Sequence, residues 1–473
     1  MYRKLDPTPK EPSNFDLPFE GQLSENNRWV IMAKIIPWSE FEEEYAQKFT
    51  CSMGAPAKSF RMALGALIIK ERLGTSDAET VEQIRENPYL QCFLGLSAYS
   101  NESPFDSSMF VYFRKRIGVN LVNKINEKMV KDQTEVQGEE VEKKSSERSE
   151  PKNQGKLILD ATCAPADIKY PTDLGLLNQA REHTEKIIDS LHNQTKSPKK
   201  KKPLTYRNRA RKEYLTIAKQ KKPRRKSRRK AIKKQLQYIQ RNLASIERMG
   251  ELQLLTKSHY RMLLVVTEVY RQQLSIYEKK EHSISDRIVS LKQPHIRPII
   301  RGKAGKSVEF GAKLSASCLQ GYVFLDRISW DNFNESGDLK RQVEAFKQFT
   351  GFYPESIHVD QIYRTKENRA WCKELGIRMS GVRLGGRPPK NPSKAIKKQA
   401  QLDERIRNSI EGKFGEAKRR FSLGRVMAKL NNTSETSIAI TFLVMNLSAL
   451  LRQAFWLFFG LFHNKNLWGC FLA

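Results

Sequence analysis

Two short apolar runs in this chain each stop at an aspartate: Leu157-Ile158-Leu159 runs into Asp160, and Ile357-His358-Val359 runs into Asp360. Runs this short, bounded by polar or charged residues, read as buried strands. Each aspartate then stands at the C-terminal end of a strand, where sheet-based sites collect their ligands. An acid at a strand end is also a common surface feature, so position alone decides nothing.

The rest of the chain frames these two strands. Helical spacing dominates to about Val130. Phe60–Gly74 places Leu64, Leu67, Ile68 and the aliphatic stem of Glu71 on one stripe. Ser76 followed by Glu79 forms a capping-box pattern, Pro88 breaks that element, and Asp106-Ser107-Ser108 opens an amphipathic segment ending at Gly118. Several short helices suit a helix-turn-helix-like bundle, which serves DNA reading, dimerisation or plain packing. Residues 131–156 are rich in charge and poor in apolar groups, the composition of a linker. From Leu174 to about Leu291 the helical pattern returns. Val308–Ser317 and Gly321–Trp330 read as neighbouring strands joined by Cys318-Leu319-Gln320 into a hairpin. Asp338–Gly351 and Lys366–Ile377 read as helices, Met379–Leu384 as a last short strand, and Gln401–Arg420 as a helix carrying Glu411.

Charge narrows the partner. Lys and Arg number 84 against 52 Asp and Glu, a formal charge of +32. Such an excess favours a polyanion, because each neutralised phosphate releases condensed counterions. A ribosomal or membrane-surface protein would share the same bulk charge. The excess is concentrated: Lys196–Lys234 holds 20 Lys or Arg and a single acid, Glu213. That stretch reads as an arm tracking a phosphate backbone, with Arg207, Arg209, Arg211, Lys212, Arg224, Arg225, Arg228 and Arg229 as contacts. A solvated helix face is the bland alternative. The six cysteines form no C-x-x-C pair, which argues against a zinc ribbon or a disulfide framework and suits a reducing interior. The N-terminus lacks the apolar core of a signal peptide. From Ile438 the chain turns apolar, but Asn446, Arg452 and Gln453 interrupt it. The clean run Ala454–Phe462 falls well short of the ~20 residues a membrane span needs. A buried helix and a cytoplasmic protein, nucleoid-associated when on DNA, are expected.

Around Glu411 the residues become more specific. Arg407 lies four before it and Lys418 seven after. On a helix the three fall within about 60° of one face, since four residues turn ~400° and seven ~700°. A metal-binding carboxylate flanked by cations that grip phosphate is chemically coherent. Three convergent carboxylates, Asp160, Asp360 and Glu411, are donors of the kind that hold two magnesium ions for in-line displacement at phosphorus. Glu416 lies about 140° around the helix from Glu411 and should face elsewhere. Asp167 and Asp326 are rival acids, and Asp326 reads as a strand or turn acid in an ordinary surface pair.

These residues resemble the DDE transposases of bacterial insertion sequences, whose signature Y-x2-R-x3-E-x6-K surrounds the glutamate. R-x3-E-x6-K is matched by Arg407, Glu411 and Lys418, whereas Glu404 stands at the tyrosine position. Asp160 in LILDAT matches the family's first aspartate and Asp360 in HVDQIY its second. The resemblance implies an α+β or α/β chain: an RNase H-like catalytic core, a mixed sheet with flanking helices, plus a helical N-terminal domain. The domains would then be 1–130, helical; 131–156, linker; 157–451, catalytic, interrupted by a helical basic insertion at about 174–295; and 452–473, an apolar tail. It further implies two Mg²⁺ or Mn²⁺ ions, double-stranded DNA as partner at transposon ends and target, and a homodimer or larger synaptic complex. No small-molecule substrate or membrane partner is implied. The alternatives are an inactive DNA-binding relic and a structure-directed nuclease on the same fold. An RNA-binding protein would fit the basic stretch alone, but no RRM, KH or zinc-finger pattern accompanies it.

Overall fold

The computed structural model of the chain describes residues 2, 15–17, 21–49, 56–142, 153–194, 201–281, 283–303, 306–381 and 394–467. Residues 143–152 of the expected linker, 195–200 of the basic stretch, 382–393 with the end of the expected last strand, and 468–473 of the tail lie outside the described residues. The chain forms two compact units: Met1–Pro165 with Lys313–Ser329 and Phe333–Ala473, and Ala166–Ala312 with Trp330–Asn332.

The first unit opens with helices α1 (Arg28–Ile35), α2 (Glu42–Ala46), α3 (Phe60–Leu73), α4 (Asp77–Glu86), α5 (Pro88–Phe93) and α6 (Met109–Glu142). Ser59 Oγ caps α3 by accepting from Met62 N at 3.2 Å, and Gly74 at φ 69° closes it. Ser76 Oγ accepts from Glu79 N at 3.1 Å, as the capping pattern anticipated. Pro88 opens α5 at its first turn besides ending α4, because a helix start has no use for the missing N–H. Gly118 (φ 70°, ψ 168°) kinks α6, which runs on through Glu142 into the stretch read as linker. Glu71 offers more than its stem: its carboxylate is buried and accepts from Ser422 N (2.9 Å), Ser422 Oγ (2.6 Å) and Thr441 Oγ1 (2.6 Å).

Strand β1 (Lys156–Pro165) ends the first pass through this unit. The second unit follows with α7 (Asp173–Gln194), α8 (Arg207–Ala218), α9 (Arg225–Met249), α10 (Lys257–Lys279), β2 (Arg297–Lys303) and the start of β3 (Lys306–Leu319). Helices α7, α9 and α10 share a core of Leu177, Ala180, Ile239, Val266 and Val269. Within it Arg181, 1% exposed, pairs with Glu185 and donates to Asn178 Oδ1 at 2.8 Å and Gln235 Oε1 at 3.2 Å, so no buried charge is left alone. β2 pairs antiparallel with the start of β3, and Ala166 N donates to Phe310 O at 2.9 Å.

The chain then returns to the first unit through the rest of β3, β4 (Tyr322–Ser329), α11 (Leu339–Thr350), β5 (Ser356–His358), α12 (Lys366–Glu374), β6 (Arg378–Met379), α13 (Lys394–Arg420) and α14 (Asn431–Leu467). β3 and β4 form the expected hairpin, but it turns at Gln320 (φ 50°) and Gly321 (φ 87°), the left-handed pair a tight two-residue turn requires. In this unit the sheet order is β4-β3-β1-β5-β6, with β5 parallel to both β1 and β6, so the sheet is mixed. Leu157, Leu159, Ile357 and Val359 pack with Val343, Phe346, Tyr363 and Cys372 in one cluster. Helix α13 packs on β1 and β5, and α14 on α6, α3 and β4. The apolar C-terminal run is thus a core helix over its described side chains. Its interrupting Asn446 is buried, accepts from Val323 N (2.9 Å) and donates to Val323 O (2.8 Å).

Candidate active site

The register of the central strands positions the first two acids. β1 and β5 pair as Lys156↔Ser356, Leu157↔Ile357 and Ile158↔His358. Asp160 and Asp360 each stand two residues beyond the last of these pairs. Asp360 stands just past its strand, as read from the sequence, and its Oδ1 accepts from Gln361 N at 2.6 Å, capping the turn Gln361–Tyr363. Asp160 does not end its strand: β1 continues through Thr162, Cys163 and Ala164, all buried. Those small residues carry little apolar signal, which is why the strand seemed to stop at the acid.

Asp160 is half-buried, and its Oδ1 accepts from Ala161 N at 2.8 Å. Burial pushes its carboxyl up to about 6; the Glu411 and Asp360 charges push the same way, while the Ala161 N–H and Arg407 oppose them. All three acids therefore share one electrostatic neighbourhood. Glu411 is exposed on α13, and its Oε1 sits 2.9 Å from Arg407 Nη1. The same guanidinium is gripped from the other side by Glu404, at 2.8 and 3.3 Å. The arginine is held firmly protonated by these two carboxylates. Lys418 falls in the last turn of α13. Glu416 faces elsewhere, 3.6 Å from both Arg420 and Arg452. Asp167 belongs to the second unit, where its carbonyl accepts from Gln293 Nε2.

Three carboxylates offer a hard, all-oxygen donor set of the kind Mg²⁺ or Mn²⁺ takes, and the mutual repulsion at Asp160 is what a cation relieves. Among the described residues, however, no group of three or more His, Cys, Asp or Glu closes around a single point. Glu411 is turned to Arg407 instead. The donors fit the ion in chemistry, and closing around it requires Glu411 to exchange Arg407 for metal.

Asp326 departs from the sequence reading. Instead of a surface pair it accepts from Ser317 Oγ (3.1 Å) and Gln342 Nε2 (2.6 Å), and burial pushes its carboxyl up to about 7. A second feature was not read at all. Asp403 on α13 takes Arg378 of β6 in a two-pronged bond (2.9 and 2.9 Å), and lies 3.6 Å from Nδ1 of the fully buried His358. This clasp fixes α13, and hence Glu411, to the β5–β6 edge that ends at Asp360. Its members lie 25 and 45 residues from Asp403, too far apart for any local pattern to join them.

In the second unit the basic residues fall on α8, the start of α9 and the loop between. Arg207 is 2.7 Å from Asp189, and Arg209 is 3.5 Å from Glu213. Arg229 donates to Tyr277 O (2.9 Å) and lies over that ring at 4.1 Å. Arg211, Lys212, Arg224, Arg225 and Arg228 are exposed. Arg211 and Lys212 line a shallow groove with Asn208, Leu215 and Lys219.

Comparison with known proteins matches two stretches of the chain. A family model described as "Transposase DDE domain" matches 357–448, from β5 past Asp360 and Glu411 into α14. One described as "Transposase domain (DUF772)" matches 17–116. A Rhizobium meliloti protein named "Uncharacterized protein ORF8 in nfe locus" is 32% identical over 151 residues, 32% of this chain and 68% of that protein. No solved structure matches. With one transposase family model matching 17–116, another matching 357–448 and this relative alongside, the chain belongs to the DDE transposases and is a transposase of the insertion-sequence type.

Proposed function

We propose that the chain cleaves DNA at transposon ends and joins the freed 3′-hydroxyl to target DNA, using Asp160, Asp360 and Glu411 on an RNase H-like core. The observation that supports this reading is the parallel pairing of β1 with β5, two residues beyond whose last pair stand Asp160 and Asp360, together with the charges of Asp360 and Glu411 acting on Asp160. These three side chains would hold Mg²⁺ or Mn²⁺, ions that activate water or a 3′-hydroxyl and neutralise a leaving oxygen. Arg407 keeps Glu411 placed, and Lys418 supplies a cation on the same helix for a nearby phosphate. The exposed cations Arg211, Lys212, Arg224, Arg225 and Arg228 suit the backbone of double-stranded DNA. Assembly as a homodimer or larger complex, with the division at 1–130, 131–156, 157–451 and 452–473, belongs to the same proposal.

Asp360→Asn tests it. DNA carrying the element's own ends should be cut and joined in Mg²⁺ by the intact chain, and about 10³-fold or more slowly by the variant, since a lost metal ligand removes several kcal/mol of transition-state stabilisation. DNA binding should be equal in both. A second reading, an inactive DNA-binding relic, draws on Glu404 at the tyrosine position and on the Arg407–Glu411 pair. It takes over should both proteins bind DNA and neither cut nor join under Mg²⁺ or Mn²⁺.

A further inference from the structure

Four arginines from distant parts of the chain gather on the first unit: Arg28 at the start of α1, Arg72 near the end of α3, Arg420 at the end of α13 and Arg452 on α14. Helix α14 brings them together, because α1, α3 and α13 all pack against it. Arg72 donates to Ser448 Oγ, and Arg452 follows Ser448 by one turn on the same helix. Ser448 Oγ gives its own hydrogen to Val444 O at 2.6 Å, so toward Arg72 it acts only as an acceptor. Glu416 Oε1 lies 3.6 Å from both Arg420 Nη1 and Arg452 Nη1. Both gaps exceed the about 2.7–2.9 Å of a charge-assisted bond, so this carboxylate is divided between two guanidiniums and engages neither closely.

The charges do not balance. Among the described residues, Glu416 is the one carboxylate paired with any of the four arginines. Arg72 is half-buried, and of its five N–H donors one finds an acceptor among the described residues, a neutral hydroxyl. Burial pushes its pKa down to about 10, and the charges of Arg28, Arg420 and Arg452 push the same way. Like charges held together in this way destabilise the free chain, and an anion among them reverses the sign of that effect. Arginine forks match the oxygens of a phosphate two at a time. Three of the four arginines, Arg28, Arg420 and Arg452, are exposed, so the cluster is an open surface and not a closed pocket. An open basic surface suits a phosphate that belongs to a polyanion, whose binding also releases condensed counterions.

The cluster is turned away from the acids. Arg420 follows Glu411 by nine residues, which is about 180° around α13 at ~100° per residue. A phosphate held here is therefore not the one at Glu411.

We propose that Arg28, Arg72, Arg420 and Arg452 form a phosphate site for the backbone of double-stranded DNA, gripping a segment other than the one at the acids. The proposal rests on DNA as the partner and not on the metal chemistry. A chain that joins one DNA to another has two segments to hold, and the cluster supplies a surface for the second.

The test is the salt dependence of binding between the full chain and a short labelled duplex of arbitrary sequence, from about 50 to 200 mM salt. Arg420→Gln combined with Arg452→Gln should lower the slope of log Kd against log salt by about 0.9 for each phosphate released, and by one phosphate at least. The paired variant should melt no lower than wild type, because it relieves the repulsion on Arg72. Glu416→Gln frees both arginines and should tighten DNA binding by up to about fivefold, the range of an exposed ion pair. Asp360→Asn should keep the wild-type slope, so that loss of cutting and loss of this site show separately. The proposal is overturned if the paired variant keeps the wild-type slope, or if Glu416→Gln leaves the affinity unchanged. A paired variant that melts lower than wild type also overturns it, since the cluster would then be a structural brace. Inorganic phosphate is the second probe. Saturable binding of it that the paired variant abolishes, with the DNA slope unchanged, would assign the site to a free anion instead.

Discussion

Asp160→Asn should make the metal-free protein more stable. The gap between about 6 in the folded chain and the ordinary 3.8 corresponds to about 3 kcal/mol, at about 1.4 kcal/mol per pH unit. The sign follows from proton linkage. The folded state holds the Asp160 proton more tightly than the unfolded state, so the protein loses stability as pH rises from about 4 to about 6. The penalty is absent below that window and complete above it. Asparagine keeps the shape and the acceptor for Ala161 N but carries no charge. Urea unfolding in chelator should therefore show the variant about 2–3 kcal/mol more stable than wild type at pH 8, and equal to it at pH 3.5. An unchanged midpoint at pH 8 would mean that burial does not penalise the Asp160 carboxylate as the structure implies. An equal gain at both pH values would mean that packing, not charge, produces it.

Three further expectations concern other parts of the chain. Glu71→Ala strips a buried carboxylate from Ser422 and Thr441 and should cost about 3–5 kcal/mol, read from the urea midpoint; a loss under 1 kcal/mol contradicts the account. Gly65→Ala brings a Cβ within 2.7 Å of Leu94 Cδ2 and 3.4 Å of Phe93 Cε1. Overpacking of about 1–3 kcal/mol should outweigh the gain in helix propensity of about 1 kcal/mol, so a raised melting temperature would show that the α3–α5 packing yields. Lys212→Ala should lower the slope of log Kd against log salt for duplex DNA by about 0.9 for each phosphate that is no longer neutralised; an unchanged slope removes Lys212 from the interface.

How much of this was legible in the sequence depended on how local each cause is. Ser59, Ser76, Gly74 and Gly351 act within one turn, and the helices they bound lie where the pattern put them. The runs ending at Asp160 and Asp360 were visible as strands because Leu and Ile concentrate there. Their shared register was not visible, since no residue in either strand encodes its partner's alignment. The later half of β1 was hidden by its small residues, and the extension of α6 beyond Val130 by a charged composition that helices tolerate as readily as linkers do. Glu71, Asp326 and Asp403 were misread or missed for one reason. A buried acid differs from a surface acid only through its partners, here Ser422 and Thr441, Gln342, and Arg378, each supplied by a distant segment or a different element.

The hydrogen bond from Ala166 N to Phe310 O has a consequence for how such a chain is built and rebuilt. The stretch from Ala166 to Phe310 therefore begins and ends at two backbones in contact, a doorway held at Ala166 and Phe310. A doorway of that width does not record what lies behind it: doubling the length of an intervening loop adds only about 0.6 kcal/mol of closure entropy. Helices α7 to α10 can therefore be lengthened, exchanged for a foreign domain with adjoining termini, or replaced by a short turn, while β1 and the far half of β3 keep their places. Such an exchange would leave the pairing of β1 with β5, and with it the strands that lead into Asp160 and Asp360, untouched.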